Sequence, residues 1–359
     1  MIKSFSSKSA VLVILTLALV FTSYMILLSA DNSGVLADKQ LFTALIGLVL
    51  SLLFIYIPTK AILKSSYYFF AICILLLITA EFVGHTAMGA QRWLKIGSVA
   101  IQPSELAKIG VILALSKSFY KLNYEQIGQV RNLIIPLLIV LVPVIMILRQ
   151  PNLGTSIIIT LISCAIFFAS GVRLWKFLVV ILSAVAAMPF IWHYMHEYQK
   201  RRVMTFLNPE QDLLGYGYNI MQSKIAIGSG GLYGKGFMHG SQVQLSFLPE
   251  KHTDFICAIL AEEFGFNGVI SILIIYMTMI FFIYSIGLSS KNQYSRLVSV
   301  GVASFIFFHF FINIGMISGL LPVVGTPLPL LSYGRSNLIT TLICSGLVIN
   351  ADVYRNAKV

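Results

Sequence analysis

The chain has 359 residues, of which 58% are hydrophobic and 11% charged, and its mean hydropathy is +0.88. Soluble domains carry about a quarter charged residues, so this composition excludes an ordinary soluble fold and describes a chain dissolved in lipid. The net charge of +12 does not mark a nucleic-acid binder, because most of the positive residues sit in short loops between apolar stretches, beside anionic lipid head groups.

A bilayer core takes about 20 apolar residues per helix. Ten such stretches occur, near residues 10–30, 40–57, 67–83, 104–119, 132–148, 154–170, 174–195, 254–288, 297–320 and 328–353. They predict an all-α integral membrane protein, a ten-transmembrane-helix bundle forming a single polytopic membrane domain over residues 1–359. The first stretch follows Lys3 and Lys8 and is too long for a secretory signal core, so it reads as a retained anchor. Lys60, Lys64, Lys117, Lys121, Arg131, Arg173, Lys176, Lys291, Arg296, Arg355 and Lys358 fall on one side of this topology. By the positive-inside rule that side is the cytoplasm, and it holds both termini. Arg92, Lys95, Arg149 and Arg335 fall on the other side and need another explanation. One connection, residues 196–253, is polar, Gly-rich and too long for a tight turn; it forms a large outer loop between the seventh and eighth spans. Cys73, Cys164, Cys257 and Cys344 stand singly in apolar stretches, which reads as packed thiols rather than a metal or disulfide framework.

Outward-facing clusters follow in chain order: "GAQRWLKIGSVAIQPSELAK" at 89–108, "RQPNLGTS" at 149–156, "GYGYNIMQSKIAIGSGGLYGKGF" at 215–237, "SFLPEKHTDFICAILAEEFGF" at 246–266 and "LPVVGTPLPLLSYGRSN" at 321–337. Polar residues near membrane depth are expensive and mark a functional cavity. Pro103 suits a first helical turn, and Glu105 and Lys108 then share one face; helix-end capping with a surface ion pair explains that pair equally well. "AIGSGGLYGKG" lacks the ending of a Walker loop and follows no strand, but its glycines suit backbone nests for pyrophosphate, with Lys224 and Lys235 adding charge; a mobile loop without chemistry is the alternative. His252 reads first as a hydrogen-bonding cap, and Arg201 and Arg202 as solvated loop charges. Histidine spacing for zinc is missing.

Asp254 is the leading catalytic candidate. It is expected to begin a helix at the membrane edge, where it caps the first turn or, held ionised by the helix dipole, serves as general base toward a sugar hydroxyl. Glu262 lies about 12 Å deeper on that helix and about 80° around it, with Glu263 opposite Asp254, so one of the two glutamates faces the bundle interior.

Taken together, "QRWL" with "QPSELAK", "QSKIAIGSGGLYGKG", "LPEKHTDFI" with "AEEFGF", and "LPVVGTPLPLLSYG" resemble the SEDS family of integral-membrane peptidoglycan polymerases, over most of the chain and in family order. "LPEKHTDFI" and "LPVVGTPLPLLSYG" look more like the RodA, or elongation, branch than the FtsW, or division, branch. The resemblance implies glycosyl transfer from lipid II. The GlcNAc 4-hydroxyl of one lipid II attacks the MurNAc anomeric carbon of the growing chain, and undecaprenyl pyrophosphate leaves. It implies a catalytic role for Asp254 and substrate contacts from Glu105, Lys108, Arg92, Lys224, Lys235, His252 and Ser332. It further implies a bacterial cytoplasmic (inner) membrane location with the active site facing the exterior, and work in cell-wall elongation and cell shape. The expected partners are a class B penicillin-binding protein and other elongation-complex membrane proteins. No cofactor is assigned; magnesium or manganese suits a bridge between carboxylate and pyrophosphate, and spacing offers no ligand set. Two residues depart from the family pattern: Asn152 stands where Asp is usual and Arg335 where Gly is usual. A lipid II flippase and a non-catalytic scaffold that activates the penicillin-binding protein are the competing readings; the chain shows no internal repeat of the transporter kind.

Overall fold

The structure, a computed structural model, describes residues 6–357 except 32, 88, 89, 97, 98, 196, 213, 214, 246 and 249. Lys3, His196 and Lys358, used in the sequence reading, lie outside the described residues. Helices run α1 Ser7–Ala30, α2 Val35–Tyr56, α3 Thr59–Val83, α4 Pro103–Phe119, α5 Tyr124–Ile127, α6 Ile134–Arg149, α7 Leu153–Ala169, α8 Leu174–Ala186, α9 Met188–Tyr194, α10 Glu197–Leu207, α11 Tyr216–Ser229, α12 Ser241–Gln244, α13 Ile256–Ser289, α14 Gln293–Ile317 and α15 Arg335–Val353. Each of the ten apolar stretches is therefore helical over most of its length. Among the described residues seven helices are long and apolar enough to cross a membrane, and the bent pair α8–α9 makes an eighth. The chain is a multi-pass membrane protein.

The bundle is built around α15, which is almost wholly enclosed and packs against α2, α4, α13 and α14. It is a polar helix for its position: Asn337, Thr340, Thr341, Ser345, Asn350 and Asp352 are all buried. Small and polar residues allow close approach of helices in lipid, where apolar side chains gain nothing by leaving the acyl chains. A Cβ at Gly346 would lie 2.6 Å from the Ser51 carbonyl oxygen, so α2 and α15 touch backbone to backbone there. At the end of α15 the Asn350 amide donates to the Phe54, Ile55 and Ile57 carbonyls, which α2 leaves open as it ends, and accepts from Thr59. Ser6 and Ser9 donate to Asp352, fastening the start of α1 to the same end. By contrast α8 buries no residue.

Three features depart from the sequence reading. A three-stranded antiparallel sheet, β1 His85–Ala87, β2 Ala90–Ile96 and β3 Val99–Ile101, joins α3 to α4 where no strand was expected. The 196–253 connection is a set of short helices, α10, α11 and α12, rather than an open loop. And Cys164 is exposed on the bundle surface rather than packed, while Cys73, Cys257 and Cys344 are buried.

The Gly-rich segment explains why this connection holds its place. Gly265 breaks α13 with φ +65° and ψ −160°, a region open essentially to glycine alone. The break frees carbonyls, and the connection takes them: Lys235 and Gly236 donate backbone N–H to the Glu262 and Glu263 carbonyls, while Phe266 and Asn267 donate to those of Gly231 and Leu232. A Cβ on Gly265 would lie 2.4 Å from the Gly234 nitrogen, whereas one on Gly231, also at positive φ, would meet nothing. Gly231→Ala is expected to cost about 1 kcal/mol from its left-handed φ alone, and Gly265→Ala about 3 kcal/mol once backbone overpacking is added. Thermal unfolding of the two variants in one detergent measures this; equal losses would mean that the clasp does not constrain the helix.

Candidate functional site

At the end of the bundle opposite Asp352, the described segment between α14 and α15 is irregular and mostly buried: Val323, Thr326, Leu328, Leu330, Leu331 and Ser332 are each less than one-tenth exposed. Irregular backbone at membrane depth persists only where protein groups satisfy it. Here Ser23 of α1 donates to the Leu331 carbonyl, Gln40 of α2 to that of Ser332, Tyr276 of α13 to that of Pro329, and His309 Nδ1 lies 3.1 Å from that of Pro327. Asn313 of α14 donates to Thr326. Within the segment the Ser332 hydroxyl accepts from the Leu328 N–H at 2.8 Å. Leu330 and Gly325 adopt left-handed φ of 67° and 72°.

Asp254 meets this segment from the α13 side. It does not begin the helix: α13 starts at Ile256, its N-cap is Phe255, and no side chain caps it. The capping role expected for Asp254 is thereby replaced by a place in the preceding turn, half-buried, where its Oδ2 faces Gly325; a Cβ there would sit 3.3 Å from that oxygen. The backbone carbonyl of Asp254 accepts from Asn313 at 2.9 Å, and the carbonyl of neighbouring His252 accepts from Tyr333 at 2.9 Å. Burial first, and the Glu250 carboxylate second, push the Asp254 carboxyl up to about 7, against the pull of Arg202. Burial, aided by Lys251, lowers His252, favouring its neutral form.

The remaining candidates divide by exposure. Lys224 of α11 is exposed, and its Cε and ammonium Nζ lie beside Gly319. Arg335 opens α15, half-buried, just beyond the irregular segment. Arg92 on β2 donates to the Gln150 carbonyl at 2.8 Å and to that of Pro151, holding the α6–α7 turn. Lys235 pairs with Glu262 at 2.7 Å, and Ser241 and the Gln242 N–H share that same carboxylate oxygen. Both Glu262 and Glu263 face inward, at 0% and 1% exposure. With the Lys235 and Gly236 amides given to α13, the pyrophosphate nest expected here lacks those donors. Among the described residues no three His, Cys, Asp or Glu side chains converge as a metal site would need, and no ligand set is assigned.

Glu105 and Lys108 sit elsewhere than expected. They are 4% and 1% exposed and form a 2.8 Å ion pair inside the bundle. Lys108 Nζ lies 2.9 Å from His309 Nε2, and Glu105 accepts from Asn337 at 3.0 Å. This geometry gives them, and Ser332 at 3% exposure, no free surface for a substrate. They underpin the irregular segment, since His309 reaches Pro327. Of the two residues expected to depart from the family pattern, one has a local role. Asn152 caps α7 by accepting from the Thr155 N–H, which Asn and Asp do about equally well. Arg335 forms no ion pair with a described residue. Arg202, read from the sequence as a solvated loop charge, is brought by α10 within electrostatic reach of Asp254, and no local motif announces that.

Comparison with known proteins places this geometry in a family. The family model described as "Cell cycle protein", covering FtsW, RodA and SpoVE, matches residues 5–357. The chain is 40% identical over 348 residues to the peptidoglycan glycosyltransferase MrdB of Escherichia coli K12, covering 96% of this chain and 93% of that one. It is 35% identical over 337 residues to MrdB of Helicobacter pylori strain 26695, covering 92% and 86%. A solved structure concerning coordination of polymerization and crosslinking by a peptidoglycan synthase complex matches with TM-score 0.86 at 30% identity, over 97% of this chain and 98% of that one. The crystal structure of Thermus thermophilus rod shape determining protein RodA matches with TM-score 0.74 at 29% identity, over 97% of both chains. The sequence match over nearly the whole chain and the shared bundle are those of one family, and this chain belongs to the FtsW/RodA/SpoVE family.

Proposed function

We propose that this protein is a peptidoglycan glycosyltransferase that polymerises lipid II in cell-wall elongation, with Asp254 as general base. The observation that carries the assignment of Asp254 is its carboxyl, half-buried, facing Gly325, and raised to about 7, the range in which a base works at physiological pH. The carboxylate takes the proton of the GlcNAc 4-hydroxyl as that oxygen attacks the MurNAc anomeric carbon of the growing chain. The bond from that carbon to the pyrophosphate oxygen breaks, and undecaprenyl pyrophosphate leaves with the electron pair. Arg202, Lys224 and Arg335 are the cations assigned to meet the growing negative charge. His252, neutral, supplies a hydrogen bond to the sugar. Arg92, Lys235, Glu105, Lys108 and Ser332 hold the backbone that forms the site. A class B penicillin-binding protein is the partner that crosslinks the product, a reading supported by the likeness to a peptidoglycan synthase complex.

The topology belongs to the same proposal. With α4 and α7 added to the seven long helices and the bent pair, ten spans cross the bilayer, and both termini are cytoplasmic. Lys117, in the last turn of α4, donates to the Lys64 carbonyl, and Lys176 donates to that of Gly128, just past α5, which gathers these cations at the inner surface. In a cysteine-free background, single cysteines at 224 and 335 should label from outside and those at 176 and 291 only from inside. The reverse pattern would move the active site to the cytoplasm.

Asp254→Asn should abolish glycan polymerisation from lipid II, by about 10²–10⁴-fold, without loss of stability. The folded-state carboxyl is raised above its ordinary value of 3.8. The folded protein therefore holds a proton that the unfolded chain releases, and this group's contribution to stability falls as pH rises from about 4 through about 7. A neutral amide escapes that loss. In the parent, polymerisation should rise with pH through about 7, as the base ionises. Full activity in the Asn variant would end the assignment, and parallel loss of Tm would make Asp254 structural.

Arg335→Gly should weaken lipid II binding about tenfold at low ionic strength, as expected for one charge-assisted contact, with the difference shrinking as salt screens it. Unchanged affinity across a salt series would return Arg335 to solvent.

A further inference from the structure

Asp254 carries a carboxylate that no described side chain holds by a hydrogen bond, so its position must be set through its backbone. One side chain does this. Asn313 lies on α14, 0% exposed. Its Nδ2 donates to the Asp254 carbonyl at 2.9 Å and to the Thr326 carbonyl at 2.8 Å. These carbonyls belong to chain segments far apart in sequence: the turn before α13 and the irregular segment before α15. Oδ1 of the same amide is buried and has no partner among the described residues. The orientation is therefore dictated by the donors, since turning the amide over would set its oxygen against two carbonyl oxygens.

The clamp bears directly on the base. Gly325, next to Thr326, is the residue that faces Asp254 Oδ2, at φ +72°. By holding residues 254 and 326 to one nitrogen, Asn313 fixes the gap between the carboxylate and that glycine. His309, one turn earlier on α14, tethers Pro327 and rests on Lys108, so the clamp is mounted on the buried ion pair. We infer that Asn313 is a positioning residue for Asp254: it sets where the carboxylate stands for proton transfer without touching the substrate. This inference rests on Asp254 being the base.

A merely structural role is distinguishable because the fold contains a matching control. Asn350 is likewise buried and likewise donates to several carbonyls, those of Phe54, Ile55 and Ile57, but at the opposite end of the bundle. Polymerisation from lipid II by purified full-length protein should be measured across pH for the parent, Asn313→Ala, Asn350→Ala and Asp254→Asn, with Tm for each. Asn313→Ala should lower kcat about 30-fold, within the range a misplaced catalytic group costs. Its KM for lipid II should stay within about threefold, and its ionisation limb should move by about half a pH unit or more, because the burial that raises Asp254 has changed. Asn350→Ala should lose comparable Tm and keep the parental kcat and limb. If Asn313→Ala does not accumulate, Asn313→Asp serves: it keeps the shape and offers at most one donor, and kcat should fall by an intermediate factor. Parental kcat and limb in the Asn313 variant, with Asp254→Asn inactive, would overturn the inference alone. Activity in Asp254→Asn would instead overturn the reading beneath it. Identical kinetic losses in the Asn313 and Asn350 variants would leave Asn313 a fold residue and refute the inference.

Discussion

The organisation of this protein follows from one constraint: an irregular stretch of backbone is mostly buried at the end of a membrane bundle. Each unpaired peptide group in lipid costs several kcal/mol. Ser23, Gln40, Tyr276, His309 and Asn313, from four helices, meet the carbonyls of that stretch. The left-handed Leu330, a conformation that costs about 1–2 kcal/mol for a side chain of this kind, persists because the surroundings leave the chain no other course. A segment over-determined in this way is a rigid wall, and Asp254 is set against it.

Beneath the wall lies a charge arrangement that is poor evidence of stability. Glu105 and Lys108 are both removed from solvent, and the desolvation of two ions generally offsets their attraction. Their value is geometric. The pair ties α4 to α14 through His309 and to α15 through Asn337, and so links α4 to the two helices that flank the irregular segment. Removing one partner would leave an unpaired charge in the bundle, with effects at the site although neither residue faces it.

The outer connection is fastened by a second, independent device. A broken helix leaves carbonyls open, and a glycine-rich segment comes close enough to take them because Gly230 and Gly234 have no side chains to keep it away. Lys235 then closes over Glu262. Glycines and a lysine beside a membrane surface suggest a phosphate cradle when read as a string. In the fold they are the seam along which the connection is attached to α13, and α10 consequently carries Arg202 toward Asp254.

Much of the architecture was legible in the chain because lipid imposes a simple rule: long apolar runs become helices, and all ten runs did. Asp254 was likewise legible, since a carboxylate at the mouth of an apolar helix is costly and so conspicuous. Local sequence misjudged the roles of residues whose surroundings come from distant segments. Glu105 and Lys108, three apart, look the same whether they face a cavity or the interior; the packing of α14 and α15 decided that. Asp254 had the chemistry of a cap, but the helix began two residues later, and the turn was held instead by Asn313, 59 positions away. Asn313 itself, inside an apolar run, carried no signal of its own. The sequence by itself determined a polytopic bundle and a carboxylate at its polar end, because burial of charge and apolar length are local properties. Only the tertiary structure decided which polar groups are buried in the frame and which stay accessible at its polar end, because a hydrogen bond between remote segments depends on where both of them finish.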